Sequence, residues 1–410
     1  MSERLHYFDG LRGVAALVVV VGHFLSAFIP AMVFGSQEPE MALANQIAGT
    51  PLYVLYSGTF AVFIFFVMSG FVFARALDRS DRGILENLIR RYLRFALPVL
   101  ASILVAWVLI GLLPDANQRV GEILDVEWFA RQYAYGAHDI ERVLREGLYR
   151  NFVAGGSYYN LALWTMRVEL LGSIALIILY CALQPKYRML LLFFSIVYLL
   201  GFTDRGWWQN LAAIAVGAVF WEGSKLNWKV PYAHFLGAVF VLAGLYLGGL
   251  PRVGVRPDSP LRPVMDVLRE LEFGNAYFLI MTAAASCLVL GIALWPRAQK
   301  LLSGPIGRKL GDLSFPVYLL HFPIVGTVGA WVFVTLNGFG VSTPIAITVS
   351  FACYLLLVLG LSELFHRYVE IPTLSLIRLL SRHWPSDVQI AALFRSLGDR
   401  FRNVFIVLVK

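Results

Sequence analysis

Apolar runs long enough to cross a bilayer recur about ten times along the chain, near residues 12–34, 58–77, 95–113, 161–183, 189–203, 208–223, 233–250, 275–295, 314–335 and 343–366. That pattern leaves few folds open. Hydrocarbon offers a backbone no water, so each run must satisfy its own N–H and C=O groups, which a long continuous run does as a helix. The expectation is an all-α, polytopic integral membrane protein with about ten transmembrane helices. Of 410 residues, 59% are hydrophobic and 15% charged, against roughly a quarter charged in soluble domains. No fixed-period repeat is evident, so solenoids drop out. The first run is too long for the apolar region of a secretory signal and lacks a small-residue cleavage site, so it is expected to remain as a helix.

The net charge of +8 is explained by where the charges fall, so nucleic acid is not an expected partner. All six lysines (Lys186, Lys225, Lys229, Lys300, Lys309 and Lys410) lie in alternate loops or the tail, and Arg79, Arg82, Arg90 and Arg91 share that parity. The positive-inside rule makes those segments and both termini cytoplasmic. Cys181, Cys287 and Cys353 are scattered through apolar runs and read as buried, inert thiols; neither a disulfide framework nor a metal site is expected. Outside the spans, Ile140, Val143, Leu144 and Leu148 repeat at helical spacing in the external segment 114–160, predicting an amphipathic helix. The loop 251–274 is rich in Pro and Arg. The chain divides into a membrane domain, 1–372, and a cytoplasmic tail, 373–410. In the tail, Ser386 and Gln389 form a capping box. An apolar stripe from Ile390 to Leu408, with Arg395, Arg400 and Arg402 mostly opposite, predicts a basic helix on the membrane lipids.

Four groups of polar residues interrupt this apolar background. Asp9 and Arg12 stand at the threshold of the first run, and His23 lies eleven residues further on, roughly 16 Å deeper at helical rise. An ionisable group within a bilayer is expensive and usually faces a polar cavity. Neutral imidazole there is suited to general base catalysis. Arg91 and Arg94, just before the third run, share a helix face and suit phosphate oxygens. Arg167 and Glu169 interrupt the fourth run, with Glu169 expected to face the outer half of a cavity. Ser314, Tyr318 and His321 follow i, i+4, i+7 spacing and share one stripe of the ninth. Ser69-Gly70 in the second run reads more simply as close helix packing. No Gly-rich phosphate loop, zinc-protease motif or nucleophile elbow appears.

Over residues 4–372 these pieces, in this order, resemble the acyltransferase-3 family of bacterial membrane O-acyltransferases. The matching residues are Arg12 and His23, Ser69-Gly70, Arg91-x-x-Arg94 with Pro98, Trp164 with Glu169, Leu310-Gly311 through Ser314, Tyr318 and His321, and Glu370-Ile371-Pro372. Phe315 departs from the family's usual Tyr. Some relatives add an extracytoplasmic domain; the stand-alone form is expected here.

The resemblance implies a multi-pass protein of the bacterial inner membrane. It implies transfer of an acyl group, usually acetyl, from cytoplasmic acyl-coenzyme A to a hydroxyl of a surface glycan or its lipid-linked precursor. In that reading Arg12, Arg91, Arg94 and Ser69 bind the donor acetyl-coenzyme A, and His23 is the base or transient nucleophile. Ser314, Tyr318 or His321 stabilises the oxyanion, and Asp9 and Glu169 complete the site. The rival classes are a proton-coupled secondary transporter and a lipid-binding assembly factor. Buried His, Arg and Glu suit the first, but paired Gly/Pro-broken helices in matching halves are not seen. Acceptor, acyl length and oligomeric state are left open.

Overall fold

The computed structural model describes residues 5–35, 44, 47–134, 136–203, 206–226, 230–251, 262–270 and 276–382, and among these it is helical without strands. Helices occupy all ten expected places: α1 (His6–Phe28), α2 (Gly58–Asp78), α3 (Ile84–Leu112), α4 (Trp164–Ala182), α5 (Pro185–Gly201), α6 (Gly206–Ser224), α7 (Ala233–Gly248), α8 (Ala276–Leu294), α9 (Pro305–Ile324) and α10 (Thr343–Phe365). Among the described residues, seven segments have the length and apolarity of a span; α5, α6 and α7 do not join them. At 16 residues α7 extends roughly 24 Å, short of a hydrocarbon core about 30 Å thick. The expected ten is therefore met by helices, and seven meet the requirements of a crossing.

Two helices begin earlier than the apolar runs suggest. α1 starts at His6 and ends at Phe28, ahead of Pro30, so Arg12 lies in its second turn and His23 in its last third. α3 starts at Ile84, which puts Arg91 and Arg94 inside the helix rather than ahead of it. Both starts escape a hydropathy reading because charged residues occupy helical positions that hydropathy cannot tell from loop positions. The tail boundary expected at 372/373 is crossed by a helix, Ile371–Arg382, whose Ser381 hydroxyl bonds Arg90 of α3. The capping box and basic stripe of the tail lie outside the described residues, as does most of the 251–274 loop. The cysteines lie toward the outer surface of the helix bundle. Cys181 and Cys353 are exposed and Cys287 is partly so, because each sits on the outer face of its helix.

Small residues set the closest contacts. A Cβ on Gly311 of α9 would stand 2.5 Å from the Asp9 carbonyl oxygen of α1, so glycine alone allows these backbones to meet. Gly70 of α2 and Gly217 of α6 do the same for their pair, with a Cβ on Gly70 only 1.9 Å from the Ile214 carbonyl oxygen. The packing expectation for Ser69-Gly70 thus describes Gly70.

α9 carries Pro316 and Pro323 inside it and continues through a π-helical turn, Val325–Gly329, to Ala330–Gly338. Pro323 has no N–H for the Leu319 carbonyl, and Asn160 Nδ2 supplies the missing donor at 2.7 Å. Asn160 ends the insertion between α3 and α4, which packs on the end of the bundle opposite the chain's start. There Phe129 meets Phe28 with ring centroids 6.0 Å apart, and Tyr133 lies against Gly326. The expected amphipathic stripe forms only in part. Helix Ile140–Arg145 buries Val143, while Ile140, Leu144 and Leu148 remain exposed. The insertion is organised around Glu146, which is fully buried and accepts from Ser157 Oγ at 3.0 Å and Tyr158 N–H at 2.8 Å while pairing with Arg142 and Arg150.

Candidate functional site

A cavity of about 170 Å³ lies among α1, α2, α3, α4 and α9, with Glu370 from the turn after α10 at its rim. α2 gives its longest wall. From Ala76 near the chain-start end to Val62, that wall spans fourteen residues, roughly 21 Å at helical rise. Its chemistry changes along this axis. Arg12, Arg91, Arg94, Glu169 and Ser69 occupy the middle and the chain-start end, whereas Val62, Phe65, Phe66 and Met166 line the other.

Arg91 is tied into the wall through two of its three nitrogens. Its Nε donates to Ser173 Oγ at 2.8 Å, and its Nη2 reaches Ser69 Oγ at 3.1 Å and Glu169 Oε2 at 3.2 Å. Ser69 Oγ donates to the same carboxylate oxygen at 2.6 Å, and Ser173 Oγ to the Glu169 carbonyl at 2.6 Å. The rings of Phe73 and Phe95 lie 4.3 and 4.4 Å from the guanidinium carbon. A carboxylate, two hydroxyls and two ring faces hold this cation in place. Of the expected Arg91–Arg94 clamp, both residues line the cavity, and Arg91 is also built into its wall by Glu169, Ser69 and Ser173. Glu169, expected toward the outer half, instead belongs to this charged half.

Arg12 and Arg94 also line the cavity, and among the described residues neither makes a hydrogen bond or ion pair. Arg94 lies at the open side of the cavity. Glu370, which faces the same space, is held at 2.7 Å by His366 Nδ1. Two guanidiniums facing one space have the charge and fork geometry that suit an anion. Asp9 does not reach the cavity. It sits where α1 meets α9, 3.6 Å from His6 Nδ1.

The cavity's hydroxyls on α9 and α4 are committed to neighbours. Ser314 Oγ donates to the Gly311 carbonyl at 2.7 Å, and Tyr318 OH to the Ala162 carbonyl at 2.6 Å. Thr165 Oγ1 lies 2.7 Å from Tyr318 OH. His321 and His23 stand behind Tyr318 and outside the cavity wall, with the Tyr318 and His321 rings 5.7 Å apart. The two imidazoles touch: His321 Nε2 is 3.2 Å from His23 Nδ1. His321 is fully buried and His23 partly exposed. The structure thus brings Arg12, Ser69, Arg91, Arg94, Glu169, Ser314 and Tyr318 to one cavity, and the histidine pair to its inner end.

Sequence reasoning missed Thr165, Ser173 and Phe95. Ser173 stands four residues after Glu169 and Phe95 four after Arg91, so an i, i+4 inspection around each charged residue finds both. Among the described residues no group of three or more His, Cys, Asp or Glu gathers as a metal site.

Comparison with known proteins bears on this arrangement. Residues 5–363 match the family described as "Acyltransferase domain". Acyltransferase R4 of Phoma sp. is 23% identical, over 92% of this chain and 95% of its own. Acyltransferase clz18 of Cochliobolus lunatus is 21% identical, over 89% and 93%. O-acetyltransferase PaAT-1 of Phomopsis amygdali is 23% identical, over 90% and 83%. No solved structure gives a significant match.

Proposed function

The chain belongs to the acyltransferase-domain family, and from that premise we propose that it is a multi-pass membrane O-acyltransferase. In this reading it takes an acyl group, most simply acetyl, from cytoplasmic acyl-coenzyme A and places it on a hydroxyl of an extracytoplasmic glycan or lipid-linked glycan. The family and a relative named an O-acetyltransferase support the transfer class. The thioester donor, the glycan acceptor and a bacterial inner membrane are the proposal's own. These three relatives are fungal, so the bacterial setting rests on the motif resemblance alone.

One observation carries the reading. The cavity has at its rim two arginines without a hydrogen bond or ion pair among the described residues, apolar walls within, and an imidazole pair one ring beyond its inner end. Arg12 and Arg94 hold the donor's phosphates at a cytoplasmic rim, while the Arg91–Glu169–Ser69 assembly keeps that wall in shape. The pantetheine arm runs along α2 toward Val62 and Phe65, and movement of Tyr318 opens the last step to His23. There the acceptor hydroxyl loses its proton to His23 as its oxygen attacks the thioester carbonyl. Thr165 and Tyr318 become oxyanion donors by turning their O–H bonds from the Ala162 carbonyl toward the substrate.

Purified protein with acetyl-coenzyme A tests the donor half. A ligand at a hundred times its dissociation constant stabilises the folded state by about 2.7 kcal/mol, so the thermal midpoint in detergent should rise and free thiol should appear once acceptor is added. No shift and no thiol release would return the transporter reading.

A further inference from the structure

The two imidazoles fix each other's hydrogens. His321 Nδ1 lies 2.7 Å from the Tyr318 carbonyl oxygen and 3.2 Å from that of Val317. Carbonyls only accept, so Nδ1 carries the hydrogen. A neutral ring has one N–H, which leaves His321 Nε2 as a bare lone pair. His23 Nδ1 faces that lone pair at 3.2 Å and the Val19 carbonyl oxygen at 3.1 Å. Placed between two acceptors, it is the donor, and His23 Nε2 is unprotonated. The opposite assignment would set bare nitrogens against carbonyl oxygens at both rings. Among the described residues no carboxylate bonds either ring, so nothing in this bonding calls for a charged form.

We propose that His321 is a positioning residue. It accepts the Nδ1–H of His23, locks that ring in the tautomer whose Nε2 is a base, and takes no proton from the substrate. The orienting part more often played by a carboxylate is played here by a second neutral imidazole. This differs from the oxyanion-donor role expected from sequence, because His321 has no N–H left to give. The pair is held in place: helix carbonyls bind one nitrogen of His321, and Phe322 packs against His23 in a T-shaped contact with ring centroids 5.4 Å apart. The inference rests on the reading of His23 as the base. In the step it serves, the acceptor O–H breaks as the O–C bond forms. The proton passes to His23 Nε2, and the thiolate released by C–S cleavage takes that proton away.

The test uses the full chain labelled with ¹⁵N-histidine in lipid nanodiscs, with His23 assigned by its loss in His23→Gln. The wild type should show His23 with a protonated Nδ1 and a bare Nε2, and His321→Leu should give a mixture of tautomers. A protonated Nε2 on His23 in the wild type overturns the proposal. Activity supplies a second readout, as thiol release from acetyl-coenzyme A in native membranes. His321→Gln keeps a carbonyl acceptor and should stay within about tenfold of wild-type kcat. His321→Leu should fall by about a hundredfold or more at unchanged KM, the scale of a lost base or wrong tautomer. Equal losses in the two variants contradict the positioning role. Full activity in His23→Ala would instead remove the base, whatever the tautomer spectrum shows.

Discussion

His23→Ala is expected to lower acyl transfer by about 10²–10⁴-fold, the usual worth of a placed general base, or roughly 3–5 kcal/mol of barrier. The effect should fall on the chemical step. His23 lies outside the cavity wall, so affinity for acetyl-coenzyme A should stay near wild type. Removing the ring strips His321 Nε2 of its one donor, and an unsatisfied buried acceptor costs about 1–3 kcal/mol. Some loss of stability will accompany the loss of rate. It is separated by comparing label transfer at equal amounts of membrane-inserted protein. Transfer at the wild-type rate would show that the proton leaves the acceptor by another route.

The second large effect concerns the rim. Replacing Arg12 and Arg94 together by Ala should weaken acetyl-coenzyme A binding by about a hundredfold or more. Charge-assisted hydrogen bonds contribute about 1.5–3 kcal/mol each, and screening at Arg94, on the open side of the cavity, takes the sum toward the lower end. The weakening should shrink as salt rises. Arg91→Met is a control of opposite character. It leaves the buried Glu169 carboxylate without its partner, and broken buried pairs cost about 3–5 kcal/mol of stability. The double change Arg91→Met with Glu169→Gln should restore much of that, since no uncompensated charge remains. Direct titration of donor into the Arg12/Arg94 variant decides the matter. An unchanged dissociation constant contradicts the anion site.

Where helices form was legible because apolar runs report burial in lipid or protein directly. Their starts at His6 and Ile84 were not, since Arg12 and Arg91 face a cavity between helices and hydropathy cannot tell such a charge from a loop charge. Charged and polar residues within spans marked the cavity well. Their partnerships did not follow, because the engagement of Arg91 depends on Glu169 and Ser173 from a helix some eighty residues away in sequence. The ninth-span stripe shows the same division. Ser314 and Tyr318 do line the cavity, but His321, two turns beyond Ser314 on that face, passes its inner end and meets His23. Glu146 gave no signal, since an acid among arginines reads as a solvated face until the fold buries it.

The central claim is that a thioester entering between the two rim arginines reaches the imidazole of α1. A structure with an uncleavable thioether analogue of acetyl-coenzyme A measures this directly. The account predicts phosphates on Arg12 and Arg94, Tyr318 displaced, and the acyl carbonyl carbon facing His23 Nε2 with room for one hydroxyl between them, each contact about 3–3.5 Å. An acyl group lodged against Phe65 and Met166 with Tyr318 still closed over the histidines would contradict it.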